Sequence, residues 1–264
     1  MIAEIHNKIS QTGSNLSDRL EDNLTGDFFG TLRYLPFEKG SKYVLATAQF
    51  HDKDANNHWK KFINSLHGYP FNFQFWKRIQ NDEIDLLLTS ERAVIGIEVK
   101  LDSMLSSEDE DTEKQTDYIH SQNQLARYSE MIEKHKKDRQ GYLLFIAPFN
   151  TMKKVRTDIY KRRIIAPSIQ LGFMNWQDVY EALKNPELTT NLNQGENLII
   201  SDLKKLLHKK ELYHFHGFSG FGINGQLTEH WRAHKTYVFT PRHMHLNWEE
   251  VHPLRKDDFY EFSK

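Results

Sequence analysis

Apolar positions change their spacing several times along the chain, and each change predicts an element. Leu20, Leu24, Phe28 and Leu32 recur every four residues, which is the spacing of one helix face. Residues 17–35 are therefore predicted to be a helix, capped by Ser17 and closed by Pro36. The run YVLATAQF (43–50) is expected to be a strand, and the polar stretch 51–68 a helix between two loops. FNFQFWKRI (71–79) predicts a strand, followed by a hairpin across EIDLLLTSERAVIGIEVK (83–100). The acidic run 106–115 is expected to be a solvated loop. Tyr118, Leu125, Tyr128 and Ile132 mark one side of a helix over 118–136. GYLLFIAP (141–148) is apolar without alternation, as a central strand covered on both faces should be.

Beyond residue 150 a basic segment (151–163) leads to the strand IQLGFMNW and the helix WQDVYEALK, then to a loop over 185–197. LIISDLKKLLHKKEL predicts an amphipathic helix, and from Tyr213 onward no periodicity assigns an element. Helix, three strands, helix and strand in that order imply an α/β (α+β) fold with a mixed central sheet flanked by helices. Residues 1–184 form the expected main domain, with its core at about 15–150. Residues 185–264 are a helical, aromatic and His-rich extension expected to pack on it.

The hairpin carries charges inside apolar runs. Asp85 follows Ile84, and Glu98 and Lys100 close the run that contains Ile95 and Ile97. Buried charges are costly unless paired or bound to a metal. Side chains alternate along a strand, so Glu98 and Lys100 share one face, with Gly96 leaving space beside them. A turn centred between Glu91 and Arg92 sets Asp85 opposite Glu98, with Cβ atoms roughly 4.5–5.5 Å apart. Two carboxylates that close repel, and a divalent cation between them reverses the sign. Helical geometry adds a third acid, because Glu21 lies about 20° around the axis from both Phe28 and Leu32.

These residues resemble the PD-(D/E)XK nuclease superfamily, whose core is helix–strand–strand–strand–helix–strand with an acid on the first helix, an Asp on the second strand and a (D/E)xK on the third. The matching positions are Glu21, Asp85 and Glu98-Val99-Lys100, over roughly residues 15–150. QLARY places Gln124 and Tyr128 where the RecB-like branch carries QxxxY, while Ile84 stands where the family often has Pro. The resemblance implies a restriction-endonuclease-like core and Mg²⁺- or Mn²⁺-dependent hydrolysis of phosphodiester bonds, in DNA rather than RNA, in a setting such as defence, restriction or repair. It implies that Asp85, Glu98 and the Val99 carbonyl hold the ion, with Glu21 as a further or water-mediated ligand. Lys100 would position the attacking water, and Gln124 and Tyr128 would line the site.

Composition narrows the alternatives. The 264 residues carry a formal net charge of -1, so no global field attracts nucleic acid and any such contact needs a local patch. The densest basic run supplies Lys153, Lys154, Arg156, Lys161, Arg162 and Arg163, with Lys204, Lys205, Lys209 and Lys210 as a second group. There is no cysteine, which removes disulfides and thiolate metal sites and suits a reducing compartment. No secretory signal and no membrane span are expected, so the chain is expected to be cytoplasmic. A homo-oligomer or a partner protein is compatible with these features. Two rivals stand beside the nuclease: a catalytically silent binding module on the same fold, and a zinc protein built on HWRAH (230–234) and HMH (243–245).

Overall fold

The apolar runs around the predicted hairpin build the middle of a six-stranded mixed sheet. A computed structural model describes residues 16–79, 82–101, 105 and 121–214. The chain divides into two units, Met1–Phe215 and His216–Lys264, and all described residues belong to the first. In chain order they form α1 (Leu16–Leu32), a 3₁₀ turn (Phe37–Lys39), α2 (Ser41–Leu45), β1 (Gln49–Phe50) and α3 (Lys53–Asn64). Then follow β2 (Asn72–Ile79), β3 (Asp82–Thr89), β4 (Ala93–Val99), α4 (Gln124–Lys136), β5 (Gln140–Ala147) and α5 (Phe149–Arg162). The described chain ends with β6 (Ile169–Asn175), α6 (Trp176–Ala182), α7 (Pro186–Thr190) and α8 (Gln194–Lys209).

Sheet order is β1-β6-β5-β4-β3-β2. Strands β2, β3 and β4 form an antiparallel meander, β4, β5 and β6 are parallel, and β1 runs antiparallel to β6. Strand β4 is buried along its whole length, because helices cover both sides of it. One layer, from α1, α3, α6 and α8, packs Phe28, Trp59, Trp176 and Leu203 against Leu86, Ile97 and Leu144. The other, from α4 and α5, packs Leu125, Ile132 and Ile159 against Leu87, Val94 and Phe145. No described helix is long and apolar enough to cross a membrane.

Three expectations are corrected. Tyr43–Phe50 is mostly not a strand. Its first part completes the short helix α2, which turns Val44 and Leu45 into the core, and only Gln49–Phe50 joins the sheet. A short apolar run has no period of its own, and burial decides its form. The helix predicted from Tyr118 begins at Gln124, where the Asn123 side chain accepts from the Leu125 N–H, an N-terminal cap. The 185–197 loop contains α7 and the start of α8. Asn185 caps α7 ahead of Pro186, and Asn193 with Glu196 forms a capping box on α8. Ile200, Leu203 and Leu207 of α8 belong to the core. The acidic run 106–115, Tyr118 and the carboxy-terminal histidine motifs lie outside the described residues.

Candidate active site

The registers of the meander govern where the acids meet. Strands β3 and β4 pair at Leu86↔Ile97, Leu87↔Gly96, Leu88↔Ile95 and Thr89↔Val94, the alignment that brings Asp85 toward Glu98. The ladder stops one pair short of them. There the Val99 N–H donates to Asp85 Oδ2 at 2.8 Å, so a carboxylate takes the place of a backbone acceptor. Since N–H and C=O of one strand residue lie on the same side, the Val99 carbonyl also faces Asp85. The pleat of β3 breaks at this point. Ile84 and Leu86, two residues apart, sit in opposite core layers, and Trp76 between the partners of those residues has φ 47.

Glu98 is 1% exposed and Lys100 5%. Lys100 Nζ lies 2.6 Å from Glu98 Oε1 and 3.0 Å from Glu21 Oε1. Glu21 comes from α1 and uses its second oxygen to accept from the Leu101 N–H at 3.0 Å. From the other layer, Gln124 Nε2 donates to Glu98 Oε1 at 2.8 Å and to the Tyr128 hydroxyl oxygen at 2.9 Å. Tyr128 in turn donates to the Glu83 carbonyl. Trp176 Nε1, at the start of α6, donates to the Lys100 carbonyl at 2.9 Å. Both helix layers therefore converge on the carboxyl end of β4.

The electrostatics follow from burial and crowding. Burial pushes the Glu98 carboxyl well above the usual carboxylate range, and the neighbouring Asp85 adds to this while Lys100 opposes it. Burial also raises Asp85, against the pull of Lys100 and the Val99 N–H. For Lys100 burial disfavours the ammonium, but Glu98, Asp85 and Glu21 outweigh it and the proton is held more tightly than in an ordinary lysine. Tyr128 is raised by burial and then by Glu98, so its hydroxyl stays neutral. Glu98 Oε2 is buried and no protein N–H or hydroxyl donates to it, while the Asp85 and Glu98 carboxyls lie close enough to share a hydrogen bond when one is protonated.

That orphaned oxygen tests whether the site suits a divalent cation. Asp85, Glu98 Oε2 and the Val99 carbonyl are hard oxygen donors, and Mg²⁺ commonly takes one or two carboxylates with water and phosphate completing its shell. The residues fit such a two-carboxylate set. Among the described residues no three His, Cys, Asp or Glu side chains are grouped to hold an ion, and Glu21 is engaged with Lys100 and Leu101.

The six predicted site residues Glu21, Asp85, Glu98, Lys100, Gln124 and Tyr128 are thus brought together. The basic run behaves differently. It lies on α5, where Lys153, Lys154, Lys161 and Arg163 are exposed, Arg156 donates to Gln49, and Arg162 is 5% exposed and bonded to Asp158. Arg162 is unsuited to a nucleic-acid contact, because its guanidinium is turned into the protein. The expected space beside Gly96 is also filled, since a Cβ there would stand 2.5 Å from Ile84 Cδ1 and 2.6 Å from Ile132 Cδ1. Two contributors had no local sequence signal: Trp176, which fixes the Lys100 carbonyl, and the Leu101 N–H that orients Glu21. No known protein family, curated protein or solved structure matches this chain.

Proposed function

We propose that the chain is a metal-dependent nuclease of the PD-(D/E)XK kind, with a restriction-endonuclease-like core, hydrolysing phosphodiester bonds in DNA. The observation that carries this reading is the convergence of Asp85, Glu98 and Lys100 with Glu21 from one layer and Gln124 and Tyr128 from the other, around a buried carboxylate oxygen to which no protein N–H or hydroxyl donates. Asp85, Glu98 and the Val99 carbonyl would hold Mg²⁺ or Mn²⁺, which when bound lowers the pKa of a water and stabilises charge on a departing oxygen.

The chain's own groups do the rest. Glu21 and Glu98 hold the Lys100 ammonium from two sides, so that its third proton can orient a water or a phosphate oxygen. Gln124 fixes the Glu98 carboxylate, and Tyr128, anchored on the Glu83 carbonyl, fixes Gln124. Lys153 and Lys154 lie in the early turns of α5, just beyond the carboxyl end of β5. Val99 pairs with Ile146 at that same end. Among the described residues of the basic run these two lysines lie nearest that end, and Lys161 and Arg163 lie farther along, near the opposite end of the helix.

A second reading has one observation in its favour. The Lys100 ammonium is already paired with both Glu98 and Glu21, and no three-ligand group stands among the described residues, which suits a silent binding module. Incubation of the purified chain with linear and circular DNA in Mg²⁺, Mn²⁺ or EDTA separates the two. Cleavage that needs the metal and is lost in Asp85→Asn and Glu98→Gln is expected. DNA binding without metal-dependent cleavage would select the silent module, and cleavage undiminished in both variants would remove the site assignment.

A further inference from the structure

Asp85 owes its direction to an irregularity that two neighbouring strands share. Strands β2 and β3 pair at Phe75↔Leu86 and again at Lys77↔Ile84, and the ladder passes over Trp76 and Asp85 between them with no residue inserted. Trp76 has φ 47, a left-handed value that is rare for a bulky residue. The other non-glycine residues with positive φ among those described, Lys137, Arg163 and Glu211, follow the ends of helices. Trp76 alone of these lies inside a strand.

The backbone turn changes which way the side chains face. Successive residues of a strand alternate sides, yet Phe75 and Trp76 both belong to the layer of α1. Across the pair, Ile84 and Leu86 should share a face and instead lie in opposite layers. Both strands therefore change face at the same point. A regular pleat would put Asp85 on the side of Leu87, against α4, and away from the Val99 N–H that it accepts from at 2.8 Å.

A strained residue persists only where its surroundings hold it. Trp76 is 7% exposed, its ring lies 5.6 Å from that of Phe75, and its Nε1 donates to Asp22 Oδ1 at 3.1 Å. Asp22 follows Glu21 on α1, and Glu21 bonds to Lys100 and to the Leu101 N–H. Adjacent acids of one helix thus grip β2 and the end of β4, with β3 and its Asp85 between those strands.

We propose that Trp76 is a positioning residue for the candidate metal site: its left-handed backbone, locked by the indole bond to Asp22, turns Asp85 out of the pleat toward Val99 and Glu98. The inference deepens the nuclease reading and rests on it for the role of Asp85 as a metal ligand. The direction of Asp85 is measurable without any metal.

Two readouts on the full chain test this: amide exchange at Val99 in EDTA, followed by NMR, and calorimetric titration with Mn²⁺. Alanine disfavours the left-handed region, so Trp76→Ala should speed Val99 exchange and weaken Mn²⁺ binding, each about tenfold. Glycine takes positive φ freely, so Trp76→Gly should stay within about threefold of wild type although it loses the same ring. Were the ring only packing, glycine would do no better than alanine. Phe75→Ala, which empties the neighbouring place in the same layer, should lower the melting temperature and leave Mn²⁺ affinity unchanged. Trp76→Phe keeps the ring without its N–H and should lose about threefold on both readouts, which serves if Trp76→Ala does not fold. Val99 exchange at the wild-type rate in Trp76→Ala, or in Trp76→Phe where the former is unfolded, would overturn the proposal. So would a loss in Trp76→Gly as large as in Trp76→Ala, or an equal loss of Mn²⁺ affinity in Phe75→Ala. A wild type that binds no Mn²⁺ while Val99 exchange follows the expected order would support the positioning role and remove the metal reading instead.

Discussion

The two ends of the sheet treat buried polar groups in opposite ways. At the carboxyl end of β4, Glu98 Oε1, Lys100, Glu21, Gln124 and Tyr128 satisfy one another, leaving one carboxylate oxygen over. At the amino end of β6, the Tyr160 hydroxyl and Gln170 Oε1 have no protein partner. The first end is held together by internal charge compensation, so removing any member leaves another exposed to an uncompensated field. The second end has nothing internal to lose. Similar substitutions should therefore give different outcomes at the two places.

The largest effect is expected at Lys100. Lys100→Met leaves Asp85, Glu98 and Glu21 without their ammonium, and removing one partner of a buried pair costs about 3–5 kcal/mol. Urea denaturation in EDTA should show that loss, and added Mg²⁺ should recover part of it, because a ligand that binds only the folded state stabilises it. A variant as stable as wild type in EDTA would break the contrast between the two ends.

Between them, Gly96→Ala tests the middle of the sheet, where a new methyl meets Ile84 and Ile132. Overpacking of that kind costs about 1–3 kcal/mol, and no metal should restore it. Gln124→Leu comes next. It takes a donor from Glu98 Oε1 and the Tyr128 hydroxyl, for an expected loss of about 2 kcal/mol by the same denaturation measurement. Its counterpart, Gln170→Leu, should stay within about 0.5 kcal/mol of wild type, since replacing an unpartnered amide with an apolar side chain is nearly neutral. If the two glutamine variants lost equal stability, the difference between the ends would be one of location only.

The smallest effect concerns a carboxylate of opposite character to Glu98. Glu38 is held below its ordinary value of 4.5 by a hydrogen bond from its own backbone N–H, with a further one from Gly68 at 2.8 Å. Its contribution is present above that ordinary value and is lost as pH falls through the lowered one. Glu38→Gln should flatten the acid limb of the stability profile slightly and leave neutral pH unchanged, as read by melting temperature against pH.

Much of the carboxyl end was legible because it obeys local arithmetic. Hairpin register aligned Asp85 with Glu98, helical angle turned Glu21 inward, and one helical turn joined Gln124 to Tyr128. The amino end was not, because Gln170 and Tyr160 are ordinary residues until packing buries their polar atoms without a protein partner. The same limit applies to Arg162, whose burial depends on tertiary packing that a count of basic residues ignores. Residues 43–50 failed for another reason. An apolar run of that length suits a strand or one helical turn equally, and the layer formed by α1 and α3 decided it. Asn193 and Glu196 did carry a readable capping signal within a stretch assigned to a loop.

The hydrogen bond from Trp176 to the Lys100 carbonyl has a consequence for dissecting the molecule. Trp176 is fully buried and packs edge-on against Phe28 of α1, at 5.2 Å between ring centroids. A fragment cut near residue 150 would keep every reactive side chain of the candidate site. It would also lose the wall behind α1 and the anchor of the Lys100 backbone, along with the neighbouring strand β6. Leu203 and Leu207 of α8 close the same layer. A fragment able to present these groups therefore has to extend from α1 at least through α8 to Leu212, well past the last residue that touches them.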